Sequence, residues 1–212
     1  MYVLAISGAA NKNRNTATLL QSAFDGAISV PGATGEIINL YDLHFHGCEG
    51  CHACKLLDKT KFARCAVQDE LTPALEKAKS ADVILLGSPI YFGNITGTMR
   101  AFLERYLFPG MTYNKDHGTT YAKHPKVGWA FTLGAPADTY KDVFDGLAAL
   151  TNRIIGDSTY VYACQTQQLD DYSLYAADMF DVDMVKRRHA EQFPKDCKDA
   201  FDMGKQLADS AR

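Results

Sequence analysis

The stretch ADVILLGSPIYFGNITGTMRAFLER, residues 81–105, decides the fold. Its opening, DVILLG (82–87), is an unbroken apolar run, the pattern of a strand buried on both faces. Downstream, TGTMRAFLERYLF (96–108) sets Met99, Phe102, Leu103, Tyr106 and Leu107 on one helical face. Between the two, Pro89 holds Ser88 extended and Gly93 relaxes the backbone. Tyr91 and Phe92 thus come directly after a buried strand, where two rings either meet a flat partner or cover the end of the sheet.

The same alternation extends to both sides. YVLAIS (2–7), EIINLY (36–41), KVGWAFTLG (126–134) and STYVYAC (158–164) read as further strands. Helical spacing covers 16–28, 69–81 and 138–155, and the tail from 183 to 211, interrupted near Pro194. In the second of these, Asp69 or Thr72 is placed to cap and Pro73 fits the first turn. Strands alternating with helices demand a parallel sheet covered on both faces. The expectation is a single α/β domain over 1–212: a flavodoxin-like three-layer sandwich whose five-stranded parallel sheet has the order 2-1-3-4-5. A Cys-rich loop at about 43–68 and a C-terminal helical extension at about 170–212 decorate it. Sheets of this kind bind ligands beyond the carboxyl ends of their strands, so the loops GAANKNRNT, SPIYFGNITG and LGAPADT matter most.

Composition narrows the function classes. A formal net charge of -3 leaves no electrostatic footprint for nucleic acid, and Lys186-Arg187-Arg188-His189 sits among acidic residues as a solvated face. No run approaches the ~20 apolar residues of a membrane span, and MYVLAISG has no basic leader, so the expectation is a cytoplasmic protein with no membrane partner. In a reducing compartment the four cysteines between 48 and 65 are not a disulfide framework and need another account. Cys164 and Cys197 read as core or surface thiols.

In GAANKNRNT, Gly8 permits a tight turn, and a helix then begins at Asn15-Thr16 with free N–H groups facing the loop: either an anion site or an ordinary Asn/Thr-capped helix. Neither G-x-x-x-x-G-K-[ST] nor G-x-G-x-x-G is present, which favours a lone phosphate, as on a mononucleotide. Two other users of this architecture are disfavoured. No cysteine begins the C-x5-R of a low-molecular-weight phosphatase, and Gly87-Ser88 stands where a receiver domain needs aspartate.

Through ISGAANKNRNT, GCEGCHAC, ADVILLGSPIYFGNITGTMRAFLER and FPKDCKDAFDMGKQLA, the chain resembles the flavodoxin-like NADPH-dependent FMN reductase family, in particular its iron-sulfur flavoprotein branch. The resemblance implies FMN phosphate against Asn11, Asn13, Asn15 and Thr16. It implies an isoalloxazine ring bordered by Pro89, Ile90, Tyr91, Phe92, Gly93 and Asn94, with Leu133, Gly134 and Ala135 completing the pocket. It also implies an oxidoreductase passing electrons between NAD(P)H or a carrier protein, such as a ferredoxin-like one, and a small-molecule acceptor such as a quinone or flavin. A homo-oligomer is implied as well, with the loop from Gly110 to Pro125 covering the ring face or a partner subunit. No catalytic acid or base is assigned. The chain departs from the family at Ala9-Ala10-Asn11, where Ser-Pro-Arg is usual; a hydroxyl and a cation are lost there, so weaker FMN binding is expected.

The resemblance further implies a C-x2-C-x2-C run followed by a fourth cysteine, here Cys48, Cys51, Cys54 and Cys65. Three thiolates so spaced suit a [4Fe-4S] cluster, with a mobile loop bringing in the fourth. Free thiols and a zinc site using His44, His46 or His52 are the other two readings. Lys55, Lys59, Lys61 and Arg64 outweigh Glu49 and Asp58, which favours thiolates with or without a metal. A flavin-free metal-binding module remains the non-enzymatic alternative.

Overall fold

The strands read from the sequence assemble into one twisted sheet. The computed structural model describes residues 1–58, 62–115 and 118–212. Its strands are β1 (Tyr2–Ser7), β2 (Thr34–Asn39), β3 (Val83–Tyr91), β4 (Asn94–Ile95), β5 (Lys126–Leu133) and β6 (Ser158–Cys164). The five long strands are parallel and lie in the order β2-β1-β3-β5-β6, while β4 pairs antiparallel with β3 alone. This is the expected flavodoxin-like arrangement, with one short strand added.

Alternation of side chains across the pleat sorts the core into two layers. On one face Leu4, Ile6, Ile84, Leu86, Trp129 and Phe131 pack against α2 (Thr72–Ser80), α3 (Gly97–Gly110) and α4 (Lys141–Ile154). The opposite face presents smaller residues, Val3, Ala5, Val83, Leu85 and Ala130, to α1 (Asn15–Ile28) and α6 (Phe193–Ser210). Large rings anchor the first layer: Phe131 stacks on Phe144 at 4.7 Å, and the Trp129 indole N–H donates to Thr151 Oγ1 at 3.2 Å.

Four details differ from the sequence reading. Strand β3 does not stop at residue 87 but continues to Tyr91 and folds back through a two-residue hairpin onto β4, pairing Ile90 with Ile95. Strand β2 begins earlier and ends at Asn39, whose side chain accepts from the Tyr41 N–H and opens a 3-10 turn over 40–42. Neither Asp69 nor Thr72 is the N-cap of α2, which is Leu71; the Asp69 carboxylate accepts from the Leu71 N–H and also serves Arg105. Of the expected helical extension at about 170–212, the part before Val182 is not an α-helix, whereas the tail read as helical from 183 to 211 with a break near Pro194 is α5 (Val182–Glu191) and α6 (Phe193–Ser210), joined at Gln192. Because α6 lies along α1 and over β5 and β6, it is a structural layer of the sandwich. Residues 165–181 are irregular apart from a 3-10 turn at 172–174. Among the described residues no helix is long and apolar enough to cross a membrane, and all six cysteines are free thiols.

Candidate functional site

Loop one, between β1 and α1, is held from three sides. The Gly8 N–H donates to Gly87 O at 2.8 Å, the Thr96 hydroxyl donates to Gly8 O at 2.9 Å, and the Asn39 amide donates to Ala9 O at 3.0 Å. Further along, the Asn13 N–H donates to Asn11 Oδ1 at 2.9 Å, a local Asx turn that fixes the loop's tip. Helix α1 then starts with no side-chain cap: Arg14 occupies the N-cap position without making one, so the first-turn N–H groups stay available to an anion. Thr16 and Thr132 share a hydroxyl hydrogen bond of 2.6 Å, which ties the start of α1 to the end of β5.

On the far side, the hairpin from β3 to β4 turns through Phe92 (φ 50°) and Gly93 (φ 79°), two consecutive left-handed residues as a tight hairpin of this hand requires. Gly93 adopts that geometry freely; Phe92 does so at a cost, with its ring fully exposed. Beside it, Tyr91 is also exposed.

Between loop one and this hairpin lies a cleft of about 420 Å³, open above the carboxyl ends of β1, β3 and β5. That volume falls within the range of small-molecule and cofactor sites. Asn11, Asn15 and Thr16 form one wall, Pro89, Ile90 and Tyr91 another, and Thr132, Leu133 and Gly134 the floor. A further wall comes from the segment after β6, with Thr166, Gln168 and Leu169, and Arg14 stands at its edge. Asn15 Nδ2 fastens this wall by donating to Gln167 O at 2.8 Å, and the Gln168 N–H donates to the Tyr172 hydroxyl at 3.0 Å. The Arg14 guanidinium forks onto Asp170 with two contacts of 2.6 Å, a pairing that raises the pKa of Arg14 and lowers that of Asp170.

A second region holds the cysteines. Cys48, Cys51, Cys54 and Cys65 all line one cavity of about 20 Å³, room for about one water. Cys48 and Cys51 are exposed and Cys54 is buried, which pushes the Cys54 thiol pKa up by desolvation. Helix α3 is the platform for this loop. The Cys48 N–H donates to Glu104, and the Lys55 ammonium donates to Phe108 O and Met111 O over the Phe108 ring. Arg105, fully buried, pairs with Asp69 and donates to His46 O and Val67 O, gripping both ends of the cysteine segment. Among the described residues no three His, Cys, Asp or Glu side chains form a group able to hold a metal ion. His44 turns to Glu70 and His46 to Glu49, while His52, edge-on to Phe108, lines the same cavity as the four thiols. Lys59 and Lys61, counted above as charges of this loop, lie outside the described residues.

A model of the NADPH-dependent FMN reductase family matches residues 1–127, more than half of the chain. The chain belongs to that family. An iron-sulfur flavoprotein of Archaeoglobus fulgidus is 39% identical over 105 residues, covering 50% of this chain and 48% of its own. One of Methanocaldococcus jannaschii is 35% identical over 135 residues, covering 64% and 63%. The chain thus spans about half to somewhat under two thirds of the lengths of these relatives. An FMN-dependent NADH-azoreductase of Bacillus anthracis, solved in complex with FMN, shares the fold with a TM-score of 0.65 at 16% identity, covering 98% of this chain and 99% of that one.

Against the family pattern, Asn11, Asn15, Thr16, Pro89, Ile90, Tyr91, Leu133 and Gly134 come together around the cleft. Asn13 lies elsewhere, on a neighbouring surface hollow with Lys12, Asn39 and Asp42. Phe92, Gly93 and Asn94 form the hairpin tip beyond the lining, and Ala135 packs partly buried against the core. Arg14, Thr132, Thr166, Gln168 and Leu169 were not anticipated as lining. The polar run QTQQ (165–168) directly after the last strand is the sequence signal for two of them, Thr166 and Gln168, but it follows the fifth main strand, whereas the sequence points to the loops after the first, third and fourth.

The cleft makes one substitution informative. Asn11→Asp keeps the acceptor that closes the Asx turn while adding a negative charge to the lining. FMN affinity is expected to fall about tenfold, the size of one unfavourable charge contact in a partly solvated site, with riboflavin affinity unchanged. Titration of both flavins by fluorescence quenching measures it.

Proposed function

We propose that the chain is an FMN-binding oxidoreductase that transfers electrons between NAD(P)H, or a carrier protein, and a small acceptor such as a quinone or a flavin. The observation that carries this reading is the cleft itself. It joins an uncapped helix start, furnished with Asn11, Asn15 and Thr16, to a wall made by Pro89, Ile90 and Tyr91 in one cleft of about 420 Å³. The residues present fit FMN chemically: N–H and hydroxyl donors for a phosphate at one end, apolar and aromatic surface for a ring system at the other. The iron-sulfur flavoprotein relatives and the azoreductase solved with FMN support the same reading.

FMN when bound supplies the redox chemistry, accepting a hydride and giving up electrons singly or in pairs. This chain contributes position and electrostatics. Loop one and the start of α1 hold the anionic end, the β3 wall orients the ring, and exposed Tyr91 and Phe92 border the face that a nicotinamide or acceptor approaches. No side chain of the cleft is assigned a catalytic proton.

A second reading is specifically favoured by the four thiols lining one cavity: an iron-sulfur flavoprotein in which Cys48, Cys51, Cys54 and Cys65 hold a cluster that feeds a ferredoxin-like carrier. The donors suit iron, but the space between them, about one water, requires the loop to open around a cluster. A cytoplasmic homo-oligomer, with an exposed flavin edge finished by a second copy, belongs to the same proposal.

The absorption spectrum of the purified protein, with iron analysis and NAD(P)H oxidation assays, tests these readings. Flavin bands and NAD(P)H consumption with a quinone support the reductase. Stoichiometric iron with broad visible absorbance supports the carrier. A colourless protein that takes up no added FMN refutes both.

A further inference from the structure

Ser-Pro-Arg is missing from loop one, yet the cleft has a cation. Arg14 lies at the cleft's edge, immediately before the first turn of α1, three residues beyond the position where the family's arginine is usual. Its guanidinium is engaged elsewhere, forked onto the Asp170 carboxylate.

Two facts bear on how firmly it is held there. The Asp170 side chain is 80% exposed and that of Arg14 41%, so their pairing is a surface ion pair of small net worth. The wall that carries Asp170 is also fastened without Arg14, through Asn15 to Gln167 O and through the Gln168 N–H to the Tyr172 hydroxyl. The arginine can therefore leave Asp170 without unfastening the wall. A phosphate at the start of α1 offers the same fork geometry as the carboxylate, more negative charge, and the helix dipole behind it.

We propose that Arg14 is the cationic ligand of the flavin phosphate in this chain, and that Asp170 competes with the phosphate for it. This rests on the reading of the cleft as an FMN site. Asp170 acts as a built-in counter-ion that keeps Arg14 satisfied in the free protein and sets an upper limit on flavin affinity.

The test measures dissociation constants for FMN and for riboflavin, which lacks the phosphate, by fluorescence quenching on the full chain. Arg14→Gln is expected to weaken FMN about tenfold or more, the loss of one charge-assisted contact, while riboflavin binding changes less than about twofold. Asp170→Asn is expected to tighten FMN about threefold to fivefold, the release of one surface ion pair, again without effect on riboflavin. In the Arg14→Gln background the Asp170→Asn substitution should do nothing, because the competition needs both partners. Thermal unfolding of each variant separates a loss of binding from a loss of structure. If wild-type protein binds FMN more tightly than riboflavin but Arg14→Gln keeps that preference, or Asp170→Asn weakens FMN, the inference is overturned and the site reading stands. If wild-type protein binds neither flavin, both fall.

Discussion

Arg105→Met is expected to lower the unfolding free energy by about 3 kcal/mol, the low end for breaking a buried ion pair. The substitution keeps the aliphatic length and removes five donors at once. Asp69, whose side chain is only 17% exposed, loses its cation, and the carbonyls of His46 and Val67 lose their donor. The low end is appropriate because Asp69 retains partial solvent access and its bond from the Leu71 N–H, and because Arg105 Nε has no hydrogen-bond partner among the described residues. A local effect should accompany the global one. Both ends of the cysteine segment are anchored on this guanidinium, so buried Cys54 should react with a thiol reagent faster than in the wild-type protein even well below the unfolding transition. Urea denaturation and timed thiol labelling measure the two. A loss under about 1 kcal/mol with unchanged labelling would mean that α3 holds the loop by other means.

Gly8→Val is expected to abolish most flavin affinity, about 100-fold, while the protein still folds. A Cβ at Gly8 would sit 2.7 Å from Met99 Cβ and 3.0 Å from Thr96 Oγ1, both on or at the start of α3 and neither the far end of a flexible chain. Something must move, and the strand behind is clamped on both sides by β2 and β3. Loop one is the softer partner, so it swings away from α3 and breaks the bond from the Thr96 hydroxyl to Gly8 O. Overpacking of this kind costs about 1–3 kcal/mol of stability. The loss of about two charge-assisted contacts to a displaced phosphate gives the estimated 100-fold. Riboflavin, which does not use loop one's donors, should lose much less. Equal losses for FMN and riboflavin would show that the damage is general.

Much of the fold was legible because β1, β3 and β5 are buried on both faces, and continuous apolar runs announce that directly. Boundaries were less so. Strand β3 extends through Pro89 because its pairing there is with β5 on one side and a hairpin on the other, a tertiary circumstance that no local pattern encodes. Of the cleft, the parts on the loops after β1 and β3 were readable from their turn residues and rings. The wall from residues 166–169 was hard to read because β6 is an edge strand and its following segment is irregular, leaving only the polar run QTQQ to mark it. Arg14 stands in loop one, but its place in the cleft and its pairing with Asp170, 156 residues away in sequence, follow from the tertiary fold. Arg105 reads in sequence as an ordinary charged position of an amphipathic helix; its complete burial follows from the cysteine segment folding over α3.

On the proposed function, the cleft between loop one and the β3 hairpin receives a flavin mononucleotide. A crystal structure of the protein grown with FMN tests it most directly. Phosphate density is expected at the start of α1, within reach of Asn11, Asn15 and Thr16, with the ring system lying against Pro89, Ile90 and Tyr91. A vacant cleft at saturating FMN, or flavin bound at another surface, would contradict it.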